Sequence, residues 1–287
     1  MQNPAINTNP LNSFMRQPKL YIQLPSGGKY WSTGSLDLPE NGQLPVYSMT
    51  AKDELLLKVP DALMSGQGIV DVIQHCVPNI KNAWSIPNID LDVILIAIRI
   101  ATYGELMKVP VNIKEAEFEY QVDLRFILAE LTESIKWVET VQITPELVVY
   151  VKPFDYKTMS ASATKTFETQ RFIQIAADST RPDAEKAQMF AEAFDKLNNI
   201  TVGLINDAVF RVDSSAGSTD NLVFVREFMN NIDKSVFDCI KTHVETLRNA
   251  NTVKPLVIAA TPEMIAAGCT EPSVTVPLVF DPSTFFA

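Results

Sequence analysis

The sequence is poor in cysteine and histidine, the residue types that most often form cross-links or take part in catalysis, and it is also poor in glycine. It contains two histidines, three cysteines and ten glycines among 287 residues. An odd number of widely spaced cysteines argues against a disulfide framework and favours a reducing compartment. The longest apolar stretch, residues 93–101, contains Arg99 and is far too short to span a bilayer. The polar start lacks the apolar segment of a signal peptide, so we expect none.

Positive charge is also in short supply. There are 24 basic and 34 acidic residues, which gives a net charge of −10 and a pI near 4.8. This balance argues against non-specific binding to nucleic acid or to an anionic membrane, because both need positive charge. We therefore predict no nucleic-acid and no membrane partner. Hydrophobic residues make up 46% of the chain, so it is long and apolar enough to fold without metal or disulfides.

Composition and periodicity divide the chain into four predicted segments. Residues 1–16, rich in Asn, Gln and Pro, are expected to form a flexible arm. Residues 17–152 alternate between strand and helix patterns, and residues 153–252 are dominated by helical periodicity. Residues 253–287 regain strand character. The predicted fold class is α+β: a mixed N-terminal domain with a buried central helix and β-hairpins, a helical middle, and a C-terminal strand returning to the first domain.

The local signals of the N-terminal part are specific. Thr50 followed by Asp53 is typical of a capping box that begins a helix after two short strands. Asp90 is expected to cap a nearly all-apolar helix over residues 91–103, which Gly104 ends. Because it is apolar on almost every side, we predict that this helix is the buried centre of the domain. The remaining predicted elements of this part are strands at 19–24, 44–49, 106–113, 118–124, 135–143 and 147–151, and helices at 69–76 and 125–131.

Three long helical patterns follow, over residues 154–177, 182–211 and 222–249, and Ser235 is expected to restart the third as an N-cap. Residues 214–218 are predicted to be a loop. Strands are predicted at 256–259 and 274–280. The second of these contains Pro277, which indicates an edge strand or a bulge.

Metal and nucleophile signals are weak. Cys239 and His243 are four residues apart and would share a helix face, but a structural zinc needs four ligands and the others are scattered. A core cysteine beside a surface histidine is the better interpretation. His75 and Cys76 are adjacent, so on a helix they point about 100° apart and do not meet. We predict no metal.

The sequence motifs that could indicate phosphate binding or acid–base catalysis are also better explained by local structure. Residues 26–29 read Ser-Gly-Gly-Lys, but Tyr30 stands where a phosphate loop needs Ser or Thr, so a plain turn is predicted. Asp90 and Asp92 bracket a helix start, where carboxylates serve routinely as caps. We predict no catalytic residue and no cofactor.

Aromatic residues are the candidate interface positions. They are Tyr30 and Trp31 in a turn, Trp84 in a loop, and Phe285 and Phe286 at the end of the chain. Two exposed terminal rings would be unfavourable in water, so we expect them to dock. They dock either on a neighbour or on the protein's own core, and the preceding strand favours the latter.

Several stretches resemble one family: residues 25–31 (PSGGKYW), 46–80, 86–109 and 277–286 (PLVFDPSTFF). Together they resemble the T4-type bacteriophage baseplate hub family, the hub assembly proteins of contractile-tailed phages. The resemblance covers most of residues 19–124 and the last ten, but not 153–252. Many family members carry a Cys-x-x-Cys knuckle where this chain has residues 109–119 without cysteine. The resemblance therefore implies no zinc site here.

The resemblance implies a non-enzymatic structural component or assembly factor of the central baseplate hub. Its partners would be other hub and tail proteins in a symmetric assembly, and its location the virion tail baseplate, assembled in the host cytoplasm. Two alternatives stay open: an assembly chaperone absent from the mature virion, and a hub-associated hydrolase of the cell envelope. A DNA-contacting terminator is disfavoured by the net charge of −10.

Overall fold

A computed structural model describes residues 11, 14–59, 62, 65–114, 116–134, 136–178, 182–276, 278, 285 and 286. Most of the predicted arm, residues 1–10 together with 12 and 13, lies outside this part. The chain begins with strand β1 (Pro18–Gln23), which pairs antiparallel with β2 (Gln43–Tyr47). Helix α1 (Ala51–Leu56) follows, and the predicted capping box between Thr50 and Asp53 is confirmed.

The apolar helix is the centre of the first core, as predicted. After α2 (Gln67–Cys76) and a short 3₁₀ helix (Ala83–Ser85), helix α3 spans Asn88–Tyr103 and buries most of its side chains. Gly104 ends α3 with φ 92°, and its N–H bonds to the carbonyl of Ile100. The capping role predicted for Asp90 is wrong. Pro87 is the N-cap, and the Asp90 carboxylate is engaged by residues far away in sequence.

A β-hairpin and a helix complete this part. Strands β3 (Leu106–Ile113) and β4 (Ala116–Asp123) pair antiparallel in full register, and α4 (Leu124–Ser134) follows directly. Alternate residues of β3 are buried, which is the pattern of a strand with one face on a core.

The second part is built on a four-stranded antiparallel sheet in chain order. Its strands are β5 (Thr140–Thr144), β6 (Leu147–Val151), β7 (Val209–Ser214) and β8 (Gly217–Thr219). Two long helices that pack together, α5 (Tyr156–Asp178) and α6 (Asp183–Ala208), are inserted between β6 and β7. Helices α7 (Leu222–Asn231) and α8 (Lys234–Ala250) follow β8.

Four predictions for this part are corrected. The helix predicted to reach Arg211 ends at Ala208, because Val209 begins the strand that pairs with β6. Of the predicted loop at 214–218, only residues 215 and 216 form the turn of the β7–β8 hairpin, because Ser214, Gly217 and Ser218 belong to its strands. Ser235 lies inside the first turn of α8, whose N-cap is Asp233. The first predicted strand of the sheet also begins later, at Thr140.

The C-terminal segment returns to the first part, as predicted. Strands β9 (Leu256–Ala259) and β10 (Ser273–Val276) pair antiparallel, with the short helix α9 (Pro262–Ala266) between them. Of the predicted strand 274–280, residues 277, 279 and 280 lie outside the described part. Buried side chains form two hydrophobic clusters. One joins residues from 22–131 to residues from 258–286, and the other lies within 141–247. The α+β class is confirmed, whereas the four-segment division stays a prediction.

Candidate functional site

The 25–31 loop is held on one side by a single buried carboxylate. Asp90 is fully buried and accepts hydrogen bonds from the backbone N–H of Ser26 at 2.8 Å, the Ser26 hydroxyl, and Nε1 of Trp31 at 2.8 Å. Burial raises the pKa of Asp90 to about 6, although the hydrogen bonds from Ser26 and Trp31 act in the opposite direction. The loop is therefore fastened to the first turn of α3.

On its other side the loop is fastened to the second part of the molecule. Glu139, just before β5, accepts a hydrogen bond from Nζ of Lys29 at 2.8 Å and one from the Tyr30 hydroxyl at 2.6 Å. These hydrogen bonds lower the pKa of Glu139, and burial together with Glu139 raises the pKa of Tyr30. Tyr30 has φ 68°, so its backbone lies in the left-handed region that non-glycine residues seldom adopt. The loop thus contacts both the first turn of α3 and the residue that precedes β5.

Trp84 forms a second contact between the two parts. Its ring stacks on Tyr156 at the start of α5, with centroids 5.5 Å apart. Gly66 lies against the same pair with φ 76°, and a Cβ atom there would be 2.7 Å from Oγ of Ser160. The close approach of α5 to this loop therefore requires glycine at position 66.

The terminal phenylalanines pack on the first core. Phe285 and Phe286 are 3% and 6% exposed, and their rings meet edge to face at 5.1 Å. The Tyr103 hydroxyl donates a hydrogen bond to the Phe286 carbonyl at 2.9 Å, and the Arg99 guanidinium lies over the Phe285 ring at 5.4 Å. This placement agrees with the expectation that the pair docks on its own domain. Contact with a partner stays a prediction for all five aromatic residues.

A cleft of about 840 Å³ opens between the 25–31 loop and helices α5, α6 and α7. Tyr30 and Trp31 line it, together with the basic residues Lys152, Lys157, Lys165 and Arg226. A neighbouring cleft of about 830 Å³ is lined by Trp84 and again by Lys157 and Lys165. Three of the five predicted aromatic positions therefore border clefts that sequence reasoning did not foresee.

An exposed apolar run borders the same region. Leu222, Val223 and Phe224 begin α7 and are each more than half exposed. Leu222 also lines the larger cleft. Three consecutive exposed apolar residues beside a cleft are typical of a surface that contacts another protein.

The cysteine and histidine candidates do not come together. Cys239 is exposed, and Nε2 of His243 lies 3.0 Å from the Val138 carbonyl oxygen. Cys76 is buried, which raises the pKa of its thiol to about 12, while Nδ1 of His75 lies 2.6 Å from the Asp53 carboxylate. Among the described residues no three His, Cys, Asp or Glu side chains form a group that could hold a metal. No helix in that part combines the length and apolar character needed to cross a membrane.

The structure is that of an α+β protein with two adjacent clefts and an exposed apolar helix end. The chain belongs to the family described as T4 bacteriophage base plate protein, whose model matches residues 15–261. No curated protein and no solved structure matches it. Membership implies a location in the phage tail and assembly with other tail and baseplate proteins. The baseplate resemblance is confirmed, while a place in the hub stays a prediction.

Proposed function

We propose that this protein is a non-enzymatic component of the central baseplate hub and acts by binding other hub and tail proteins. The observation that carries the proposal is the family match over residues 15–261. The stretches that resemble hub proteins supply the 25–31 loop, helices α1 to α3 and the terminal phenylalanines. They form one connected unit of the first core.

Surface features support a role by contact. Stable protein interfaces combine buried aromatic or apolar anchors with a polar rim. The region around the larger cleft has both apolar anchor residues and polar surroundings, since Tyr30, Trp31 and Leu222 line it beside lysine side chains. Such a surface suits a protein that fixes neighbours in place.

Quantitative mass spectrometry of purified virions tests the proposal. A phage deleted for this gene is complemented with the wild-type chain, and gradient-purified particles are measured against tail proteins of known copy number. We expect the chain at a fixed ratio per particle, and baseplates missing without complementation. Normal baseplates in its absence would overturn the proposal. Failed assembly in its absence, combined with no chain in mature virions, would favour a transient assembly factor.

Enzymatic activity is tested with the same purified protein. We expect no release of soluble fragments from purified host cell walls, with a known lysozyme as the positive control. Sustained release that follows protein concentration would favour the envelope hydrolase instead.

A further inference from the structure

We propose that the larger cleft, between the 25–31 loop and α5, binds an acidic extended segment of another baseplate protein. We call it the lysine cleft, after Lys152, Lys157 and Lys165. The inference rests on the proposed function for the origin of the partner, but the binding chemistry is argued from the cleft itself.

The charge of the lysine cleft is opposite to that of the whole chain. Its lining contains four basic residues and two acidic ones, Asp155 and Asp207, whereas acidic residues outnumber basic ones in the full sequence. Asp207 lies 3.9 Å from Arg226, and Asp155 accepts a hydrogen bond from the Thr158 backbone N–H at 2.8 Å. Both carboxylates are therefore engaged.

The three lysines are available to a ligand. No carboxylate in the described part of the chain lies within ion-pair distance of Lys152, Lys157 or Lys165. Lys157 and Lys165 are exposed, and Lys152 is half-buried. Unpaired cations grouped at a concave surface attract negative charge.

Spacing along α5 favours an extended ligand. Lys157, Ala161 and Lys165 recur every four residues, so they lie along one face of the helix. A rise of 1.5 Å per residue separates the two lysines by about 12 Å. An extended peptide rises about 3.3 Å per residue with side chains alternating in direction, so acidic residues four positions apart span about 13 Å on one side. The small Ala161 and Ser162 leave room between the lysines.

Tyr30 and Trp31 supply the apolar end of the site. Glu139 and Asp90 fix their polar atoms, so little side-chain freedom is lost when a ligand binds. A volume of about 840 Å³ is within the range of about 300–1,000 Å³ typical of ligand pockets. The expected partner therefore carries an apolar or aromatic residue next to its acidic ones.

A short acidic peptide fits better than nucleic acid. Screening limits exposed charge interactions to about 8 Å at physiological salt, so a short segment in the cleft responds mainly to the local lysines. A long polyanion extends beyond them over a surface whose net charge is −10. The observations therefore favour an acidic protein segment.

Fluorescence anisotropy with the full purified chain tests the proposal. The probe is a short labelled peptide with Asp or Glu at every fourth position, one Phe, and Ser or Gly elsewhere. We expect it to bind, and the Asn/Gln version of the same peptide not to bind. The double variant K157Q/K165Q should weaken binding about tenfold. The variant K234Q/K254Q, which changes the same charge at two exposed positions outside the cleft, should leave binding unchanged.

The outcomes separate this inference from the proposed function. Equal weakening by both double variants, or no binding by the wild type, would overturn it. A single-stranded oligonucleotide of equal charge that binds more tightly through the same lysines would also overturn it, as would self-association abolished by K157Q/K165Q in sedimentation. The variant K157R/K165R should retain binding, and every variant should melt at the wild-type temperature. These two results exclude misfolding as the cause of weakened binding in K157Q/K165Q. Because all readouts use isolated protein, absence from virions would refute the hub role alone.

Discussion

Trp31 donates its indole N–H to the Asp90 carboxylate at 2.8 Å, although 59 residues separate the two in the chain. The same carboxylate accepts two hydrogen bonds from Ser26. One buried charge in the first turn of α3 therefore positions a loop that borders the lysine cleft. Changes at this carboxylate should affect both stability and the shape of the cleft.

The first prediction concerns the Trp31 indole. Trp31→Phe keeps an aromatic ring but removes a hydrogen bond to a charged group, so we expect a loss of about 1.5–3 kcal/mol in unfolding free energy. Trp137→Phe is the matched control, because Nε1 of Trp137 donates to the neutral Val151 carbonyl at 2.9 Å. Its loss should be about 0.5–1.5 kcal/mol. Urea unfolding well above pH 6, where the Asp90 carboxylate is ionised, measures both, and an equal or smaller loss for Trp31→Phe would contradict the prediction.

The second prediction is a pH dependence. Burial raises the pKa of Asp90 from 3.8 to about 6, so between these pH values the native protein holds a proton that the unfolded chain has released. The contribution of Asp90 to the free energy of unfolding is therefore highest below pH 4. It falls by about 3 kcal/mol as the pH rises to 6. Asp90→Asn lacks this titration. The wild-type minus variant difference in urea unfolding should decline between pH 4 and 6 and then level off.

Asp92 provides the internal check. Burial raises the pKa of Asp92 to about 6 as well. Because Asp92 titrates in both the wild type and Asp90→Asn, its effect on the unfolding free energy cancels when one is subtracted from the other. A difference that rises with pH would mean that the carboxylate is stabilised in its charged form by Ser26 and Trp31.

Sequence reasoning succeeded where the decisive contacts are local. The Thr50–Asp53 capping box and the Gly104 helix end involve residues within four positions of each other, and both predictions are confirmed. It failed for Asp90, because the groups that engage its carboxylate are more than fifty residues away. It failed again after Ala208. The residues there also fit a helical pattern, but they form a strand because they pair with β6.

The lysine cleft has only a partial sequence signal. The four-residue spacing of Lys157, Ala161 and Lys165 on a predicted helix was visible. Nothing in the sequence indicated that this face would lie opposite Tyr30 and Trp31, because that placement depends on Asp90 and Glu139 together. Tertiary contacts that join distant segments therefore determine the site.

The third prediction concerns the C-terminal phenylalanines. Truncation after Asp281 removes two rings that are almost fully buried, each worth roughly 1.5–3 kcal/mol. We expect a clear drop in melting temperature of the isolated protein, before any partner is added. Phe14→Ala is the control, since that ring is 85% exposed and its loss should leave melting unchanged. A truncated chain that melts normally but fails in a phage assembly assay would show that the tail serves a partner instead.

The fourth prediction concerns Gly66, where α5 meets the Trp84 loop. Gly66→Ala places a methyl group 2.7 Å from Ser160 and 3.2 Å from Trp84, in a backbone with φ 76°. Left-handed strain of about 1–2 kcal/mol adds to overpacking of about 1–3 kcal/mol, so we expect a loss of about 2–5 kcal/mol. Gly42→Ala is the matched control, because Gly42 has φ 70° with nothing within 4 Å. It carries the backbone strain alone, so urea unfolding of the two variants isolates the packing contribution. Equal losses of unfolding free energy in the two variants would show that α5 shifts to accommodate the methyl group. The lysines on α5 would then lack a fixed position opposite the 25–31 loop.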